Sequence, residues 1–433
     1  MIPSGWRHLT PHAIAGGDKS RLVIGPFGSN LRTSDYRSEG VPLVFVKDIR
    51  ANDFSRPRAF IDQEKADKLS AHVVLPGDVL ITKMGEPPGD AAIYTGTGTA
   101  VITADCIRLR PARGFDPKFV AFSMQAPQVR KQVAAITSGV AQQKVSLGRF
   151  RSGLTLGVPT LQEQRRIVEI IEDNLSRLDA ANRALITSTA RARALIRATL
   201  MRAIPDVTEY PSHWLASTVD HAGSVTLGRQ RHPDWHTGDN MQPYLRVANV
   251  FEDRIDTSDV MQMHWPEGTF ERFRLVPGDI LLNEGQTPEL LGRPAMYRGE
   301  PGEVAFTNSL LRFQANALVN PEFALIVFRR HMHAGRFTRE SRITTNIAHL
   351  SATRLKPIEF PIPPLDEQER IVREVREHLG AVGRFQEGVA VASLRSRALR
   401  RAVLAAAFSG RLTGATSDGD LIEETADTLE GER

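Results

Sequence analysis

The chain has 433 residues, enough for two to three domains rather than a single core. A hydrophobic content of 41% excludes wholesale disorder, and the lone cysteine, Cys106, excludes an internal disulfide or a multi-cysteine metal site. The net charge of +5 and pI of about 9.5 lean toward a polyanionic partner, although a basic, arginine-rich composition alone decides little. No apolar run reaches the roughly 20 residues of a membrane-spanning helix, and the first residues lack the basic start and apolar centre of a secretory signal. A cytoplasmic protein without membrane contact is expected.

The chain opens on Pro3-Ser4-Gly5-Trp6, followed by short apolar runs at Leu43–Val46, Val79–Thr82 and Val101–Thr103. Pro-Gly and Gly-Thr-Gly turns separate these runs, which reads as a β-rich mixed domain. From Leu161 to Ala203 there is neither Pro nor Gly, and apolar residues recur in alternating steps of three and four. The seam Val168, Ile171, Leu175, Leu178, Asn182, Leu185, Thr189, Ala192, Ile196 predicts one long coiled-coil helix.

Everything then repeats. Pro211-Ser212-His213-Trp214 answers the opening, and Val276–Leu282 (VPGDILL) answers Leu75–Ile81 (LPGDVLI). Pro361–Val372 (PIPPLDEQERIV) answers Gly157–Val168 (GVPTLQEQRRIV), with Gln368 lying 204 positions after Gln164. A second long helix follows, its seam running through Val372, Val375, Leu379, Val382, Gln386, Val389, Ser393 and Ser396. Colinear matches in this order make the chain an internal duplication. Its predicted parts are mixed domains at 1–158 and 205–362, helices at 159–204 and 363–412, and an acidic, disordered tail at 413–433.

Both helices carry acids early and arginines late. In the first, Asp179 is the last acid before Arg183, Arg191, Arg193, Arg197 and Arg202; in the second, Glu387 precedes Arg395, Arg397, Arg400 and Arg401. Antiparallel packing sets each acidic half beside a basic half and brings the seam residues Asn182 and Gln386 together as a polar register lock. The fold class expected is α+β: two β-rich domains in tandem, each with a long helix, the helices pairing antiparallel with pseudo-twofold symmetry. Gly380, Gly383 and Gly388 inside the second helix each cost about 1 kcal/mol against Ala and leave a kink or a close contact as alternatives.

No constellation for catalysis is present. The chain lacks an Asn/Asp-Pro-Pro-aromatic motif, a Walker loop and HExxH. His331 and His333 lack further ligands and read as structural, and Cys106 reads as a core residue. The chain is expected to be a non-enzyme.

Taken together, the Pro-x-Leu-x-Glu-Gln helix starts (Pro159 to Gln164, Pro363 to Gln368), the Pro-Ser-x-Trp openings, the Pro-Gly-Asp strands and the run Leu399–Gly414 resemble the specificity subunits of Type I restriction–modification systems. The resemblance covers all but about the last twenty residues. It implies that each mixed domain is a target-recognition domain reading one half of an asymmetric, interrupted site in double-stranded DNA. It also implies that the helices fix the gap and dock two methyltransferase (M) subunits and, through them, restriction (R) subunits. S-adenosylmethionine, ATP and magnesium would then sit on those partners and not on this chain. A modification-only or Type IIB-like assembly, or a helical scaffold that binds no DNA, are the alternatives. Base readers should be cationic or amide side chains on polar loops. The candidates are Lys47, Lys83, Gln142, Gln143 and Lys144 in the first domain, and Arg246, Asn249, Arg342, Thr344, Thr345 and Asn346 in the second.

Overall fold

The computed structural model describes residues 3–85, 87–139, 143–344, 347–412 and 418–431. The chain divides into two compact units, one of residues 1–185 with 390–433 and one of residues 186–389. Each unit therefore holds one mixed domain, the first part of one long helix and the last part of the other, a division that crosses the helix boundaries expected from sequence. Among the described residues no helix is long and apolar enough to cross a membrane.

In the first unit, Leu22–Ile24, Cys106–Leu109, Val79–Thr82 and Ala91–Ile93 form an antiparallel sheet in that order. Val79–Thr82 and Cys106–Leu109 are buried along their whole length, which is why they read as continuous apolar runs. A second sheet orders Phe60–Ile61, Val41–Val44, Ala100–Ile102 and Val73–Val74, with Val41–Val44 parallel to Ala100–Ile102. The second unit repeats the plan. Gly223–Leu227, Leu310–Ala315, Ile280–Asn283 and Pro294–Met296 make its antiparallel sheet, and Met241–Leu245 runs parallel to Ala305–Phe306.

The repeated motifs acquire physical roles. In the Pro-Gly-Asp turns, the Asp78 carboxylate accepts from the Leu75 N–H at 2.8 Å and takes a two-pronged hydrogen bond from Arg110. Asp279 likewise accepts from the Val276 N–H at 3.0 Å, and Gln314 donates to it from the next strand at 2.9 Å. Each carboxylate therefore closes its turn and ties it to a neighbouring strand.

Gln164 and Gln368 are wholly buried at the starts of the long helices. Gln164 Oε1 accepts from the Asp116 N–H at 2.8 Å, and its amide donates to the carbonyls of Gly114 and Pro159. Gln368 repeats all three bonds with the Asn320 N–H, Leu318 and Pro363. Asp116 and Asn320 are themselves the caps of the domain helices Pro117–Gln125 and Pro321–His333, each with proline in the first turn. The glutamine of the Glu-Gln motif is thus a clamp fastening each mixed domain to its long helix.

The long helices run Leu161–Ala203 and Leu365–Phe408. In the first unit Val168, Ile171 and Leu175 are buried with Ala398, Ala402 and Val403, and Arg400 pairs with Asp179 at 2.6 Å. In the second, Leu200 and Ile196 pack with Ile371, Val372 and Val375. Within each unit early residues of one helix meet late residues of the other, so the helices run antiparallel, as their charge halves require. Asn182 belongs to the first unit and Gln386 to the second, both half-buried.

One open alternative is removed and one expectation changes. The second helix continues through its glycines, and a Cβ at Gly383 or Gly388 would meet nothing within 4 Å, so close packing does not explain them. The tail is not a solvated extension throughout: Asp418–Gly431 is a helix. Its Ile422 and Ala426 join the first unit's core, and Arg395 pairs with Glu423 and Asp427. Acid-rich composition masked an apolar stripe at helical spacing (Leu421, Ile422, Ala426, Leu429).

Candidate nucleic-acid interface

The antiparallel sheet of the first unit sends three connections out of one edge. Leu22–Ile24 and Val79–Thr82 end there, and Cys106–Leu109, antiparallel to both, begins there. The loop after Ile24 leaves at Gly25, where a Cβ would come within 2.0 Å of the Thr103 carbonyl oxygen. Its tip exposes Phe27, Ser29, Asn30 and Arg32. The matching loop of the second unit leaves at Gly228, where a Cβ would lie 2.2 Å from the Thr307 oxygen.

At this edge the first unit brings together Lys83, Gln143 and Lys144. The Lys83 N–H donates to the Asp105 carbonyl at 2.7 Å, and the Val145 N–H donates to the Lys83 carbonyl at 3.0 Å. The Gly85 N–H donates to the Gln143 carbonyl, and Lys144 bridges to both Met84 and Ser138. Gln143 and Lys144 are exposed, while Lys83 is half-buried with its Nζ donating to the Ala104 carbonyl at 3.3 Å. Lys47 is exposed on the short helix Val46–Ala51 that follows Val41–Val44.

The second unit keeps the backbone and changes the side chains. The Glu284 N–H donates to the Ser309 carbonyl at 3.0 Å, and the Leu350 N–H donates to the Glu284 carbonyl at 2.7 Å. Glu284 thus takes the place of Lys83, and His349 that of Lys144. His349 Nδ1 lies 3.2 Å from Glu284 Oε2. Here Gly285–Gln286, Ile347–His349 and Arg342–Thr344 pair into a small sheet. Arg342 and Thr344 lie on its outer strand. Their side chains, together with Gln142, Thr345 and Asn346, fall outside the described residues.

Arg246 and Asn249 are placed differently from expectation. Asn249 is buried: its Oδ1 accepts from the Arg246 N–H at 3.0 Å, and its Nδ2 donates to the carbonyls of Asp256 and Asp259. An amide committed to backbone on both sides shapes the loop and is not presented to a ligand. Arg246 is half-buried and paired with Asp259.

Sequence reasoning missed the loop from Arg229 to Asn240. Arg229 stands 3.9 Å from the Trp235 ring centre and 4.7 Å from that of Trp265, and donates to the His264 carbonyl at 2.8 Å. This stack holds a segment from which Arg231, His232 and His236 are exposed. The matched glycines Gly25 and Gly228 were the available signal. Burial pushes the Cys106 thiol up to about 12, against its role as a nucleophile, and among the described residues no group of three His, Cys, Asp or Glu could hold a metal. In each unit, polar and charged side chains on loops at the corresponding sheet edge suit binding of a polar, extended ligand.

Residues 235–378, most of the second unit, match the family model described as the Type I restriction modification DNA specificity domain. The chain is 22% identical over 319 residues to the specificity subunit of the Type I restriction enzyme EcoKI from Escherichia coli K12, covering 72% of this chain and 68% of that protein. It is 22% identical over 326 residues to the StySPI specificity subunit of Salmonella potsdam, with the same 72% and 68% covered. A putative MjaX specificity subunit of Methanocaldococcus jannaschii matches at 24% over 151 residues, 34% of this chain and 36% of that protein. A solved structure from work on assembly and conformational transition of the type I R-M system shares the fold, with a TM-score of 0.72 and 17% identity, over 95% of this chain and 100% of that one. The similarity to Type I specificity subunits indicated by the sequence motifs therefore holds, and the matched segment contains the Glu284–His349 edge and begins within the Arg229–Asn240 loop.

Proposed function

We propose that the chain reads a bipartite DNA site, each mixed domain contacting one half through the sheet edge described above. The observation that carries this reading is the repetition of one backbone edge with unlike side chains. Lys83 and Lys144 occupy it in the first unit, Glu284 and His349 in the second. Identical frames with different hydrogen-bonding groups suit an asymmetric site, because donors and acceptors on base edges distinguish sequences while lysines and arginines hold phosphates.

The long helices, of 43 and 44 residues, would span about 65 Å each and set the gap between half-sites. Two methyltransferase subunits, and through them restriction subunits, would dock on the helices and bring S-adenosylmethionine, ATP and magnesium, so that this chain supplies recognition without chemistry. Inserting one helical turn at matched places in both helices is expected to change the gap in the methylated site, read by mapping modified adenines in host DNA. An unchanged gap contradicts the ruler. Specific binding by the assembled methyltransferase should also fall roughly tenfold or more between 50 and 200 mM salt.

A further inference from the structure

The loop after Ile24 in the first unit turns its aromatic residue outward. Gly25 and Pro26 are buried at its start, and Leu31 is buried at its end, packed with Leu43, Ile61 and Val101. Between these anchors Phe27 is 67% exposed. The turn that presents it is closed: the Phe27 carbonyl accepts from the Asn30 N–H at 2.8 Å and from the Leu31 N–H at 3.3 Å. A phenylalanine left in water forgoes the stabilisation of burial, and this one is held there by an anchored backbone.

Its surroundings say what covers it. Ser29, Asn30 and Arg32 are exposed on the same loop. Gly25 lies against the Thr103 carbonyl, and Lys83 Nζ donates to the Ala104 carbonyl at 3.3 Å. The Phe27 loop and the Lys83–Lys144 edge therefore flank one turn. A ring seated by a protein partner would sit within an apolar patch, whereas the exposed residues beside Phe27 are polar or cationic. A ring among hydroxyls, amides and cations suits a polyanion with apolar faces inside it, which is duplex DNA with its phosphates outside and its bases stacked within. Two residues after the matched glycine, the second unit has exposed Gln230 in place of Phe27.

We propose that Phe27 is an aromatic wedge that enters between two base pairs of the half-site contacted by the first unit, resting on the reading of that sheet edge given under Proposed function. The wedge unstacks one step and bends the duplex there, while neighbouring cations hold the phosphates. Pyrimidine–purine steps unstack most cheaply, so Phe27 selects such a step through deformability, with no hydrogen bond to either base. The opening belongs to the first unit's half-site alone, because the amide of Gln230 can bond a base edge but does not wedge a step.

The test uses the methyltransferase assembled with the full chain, and duplexes of the motif found by mapping methylated adenines. The half that relaxes in Gln143→Ala/Lys144→Ala is the first unit's. A fluorescent adenine analogue placed at successive steps is expected to brighten on binding at one step of that half and at none of the other. Phe27→Ala should remove the brightening and weaken specific binding about tenfold, the scale of one lost stacking contact, and Phe27→Trp should keep binding within about threefold of the parent. A stiff A-tract step at the opened position should cost the parent about tenfold and Phe27→Ala about twofold or less. Circular dichroism checks the fold of each variant, and assembly with the methyltransferase subunits is measured without DNA. No brightening in that half, or brightening and affinity unchanged in Phe27→Ala, overturns the wedge and leaves the sheet edge as a reader. Loss of assembly in Phe27→Ala without DNA shows that a protein covers the ring and also overturns it. A double variant that relaxes neither half removes the reading edge itself, and the wedge with it.

Discussion

At one edge of the same sheet the first unit presents Lys83 and Lys144, and the second presents Glu284 and His349. The backbone bonds beneath them are the same, as are the three bonds of each buried glutamine clamp. The difference teaches where the duplicated chain holds still and where it varies. Buried polar groups must keep their partners, so the frame is preserved, while side chains at the edge are exchanged at little cost to folding. An outer contact has even reversed. Lys118 of the first domain pairs with Glu172 of its long helix, whereas Glu322 of the second pairs with Arg376.

The sharpest way to break the frame is at the clamp. Gln164→Leu should destabilise the first unit by about 3 kcal/mol, because one backbone N–H and two carbonyls lose their partner. Hydrogen exchange should show the loss confined to that unit. Equal loss in both units would mean that the clamp is not local.

A second difference concerns acid. His331 is fully buried in the second unit, and burial brings its imidazole down to about 4. The unfolded chain takes up that proton near pH 6.5 and the folded chain does not. Stability should therefore fall by about 2–3 kcal/mol as pH drops from 6.5 to 4, a loss specific to the second unit. Calorimetry of His331→Gln should show a flatter pH slope than the parent. An unchanged slope would remove His331 as its cause.

The smallest effect sharpens the contrast between the helices. Gly388 is exposed inside the second long helix with space around it, so Gly388→Ala should stabilise the second unit by about 1 kcal/mol, read as a rise in its unfolding midpoint. A loss of stability would show that the glycine serves a contact.

The repeat, the two helices and their antiparallel sense were legible because period and charge are local properties of sequence. The clamp was visible as a motif but not as a role, since Gln164 meets Asp116, 48 residues away. Asn249 looked like a reader because a buried capping amide and an exposed base-reading amide are the same residue in sequence. The tail helix hid behind its acids, although its aliphatic stripe was present to be counted. At this sheet edge of the first unit, the fold brings loops from four parts of the chain together, and only Lys83, Gln143 and Lys144 were anticipated as neighbours.

The most direct test of separate readers is the methylation map of host DNA carrying Gln143→Ala/Lys144→Ala in this chain, compared with the parent. One half of the bipartite adenine-methylated motif is predicted to relax while the other half and the gap stay fixed. Relaxation of both halves together, or a map identical to the parent's, would contradict the account.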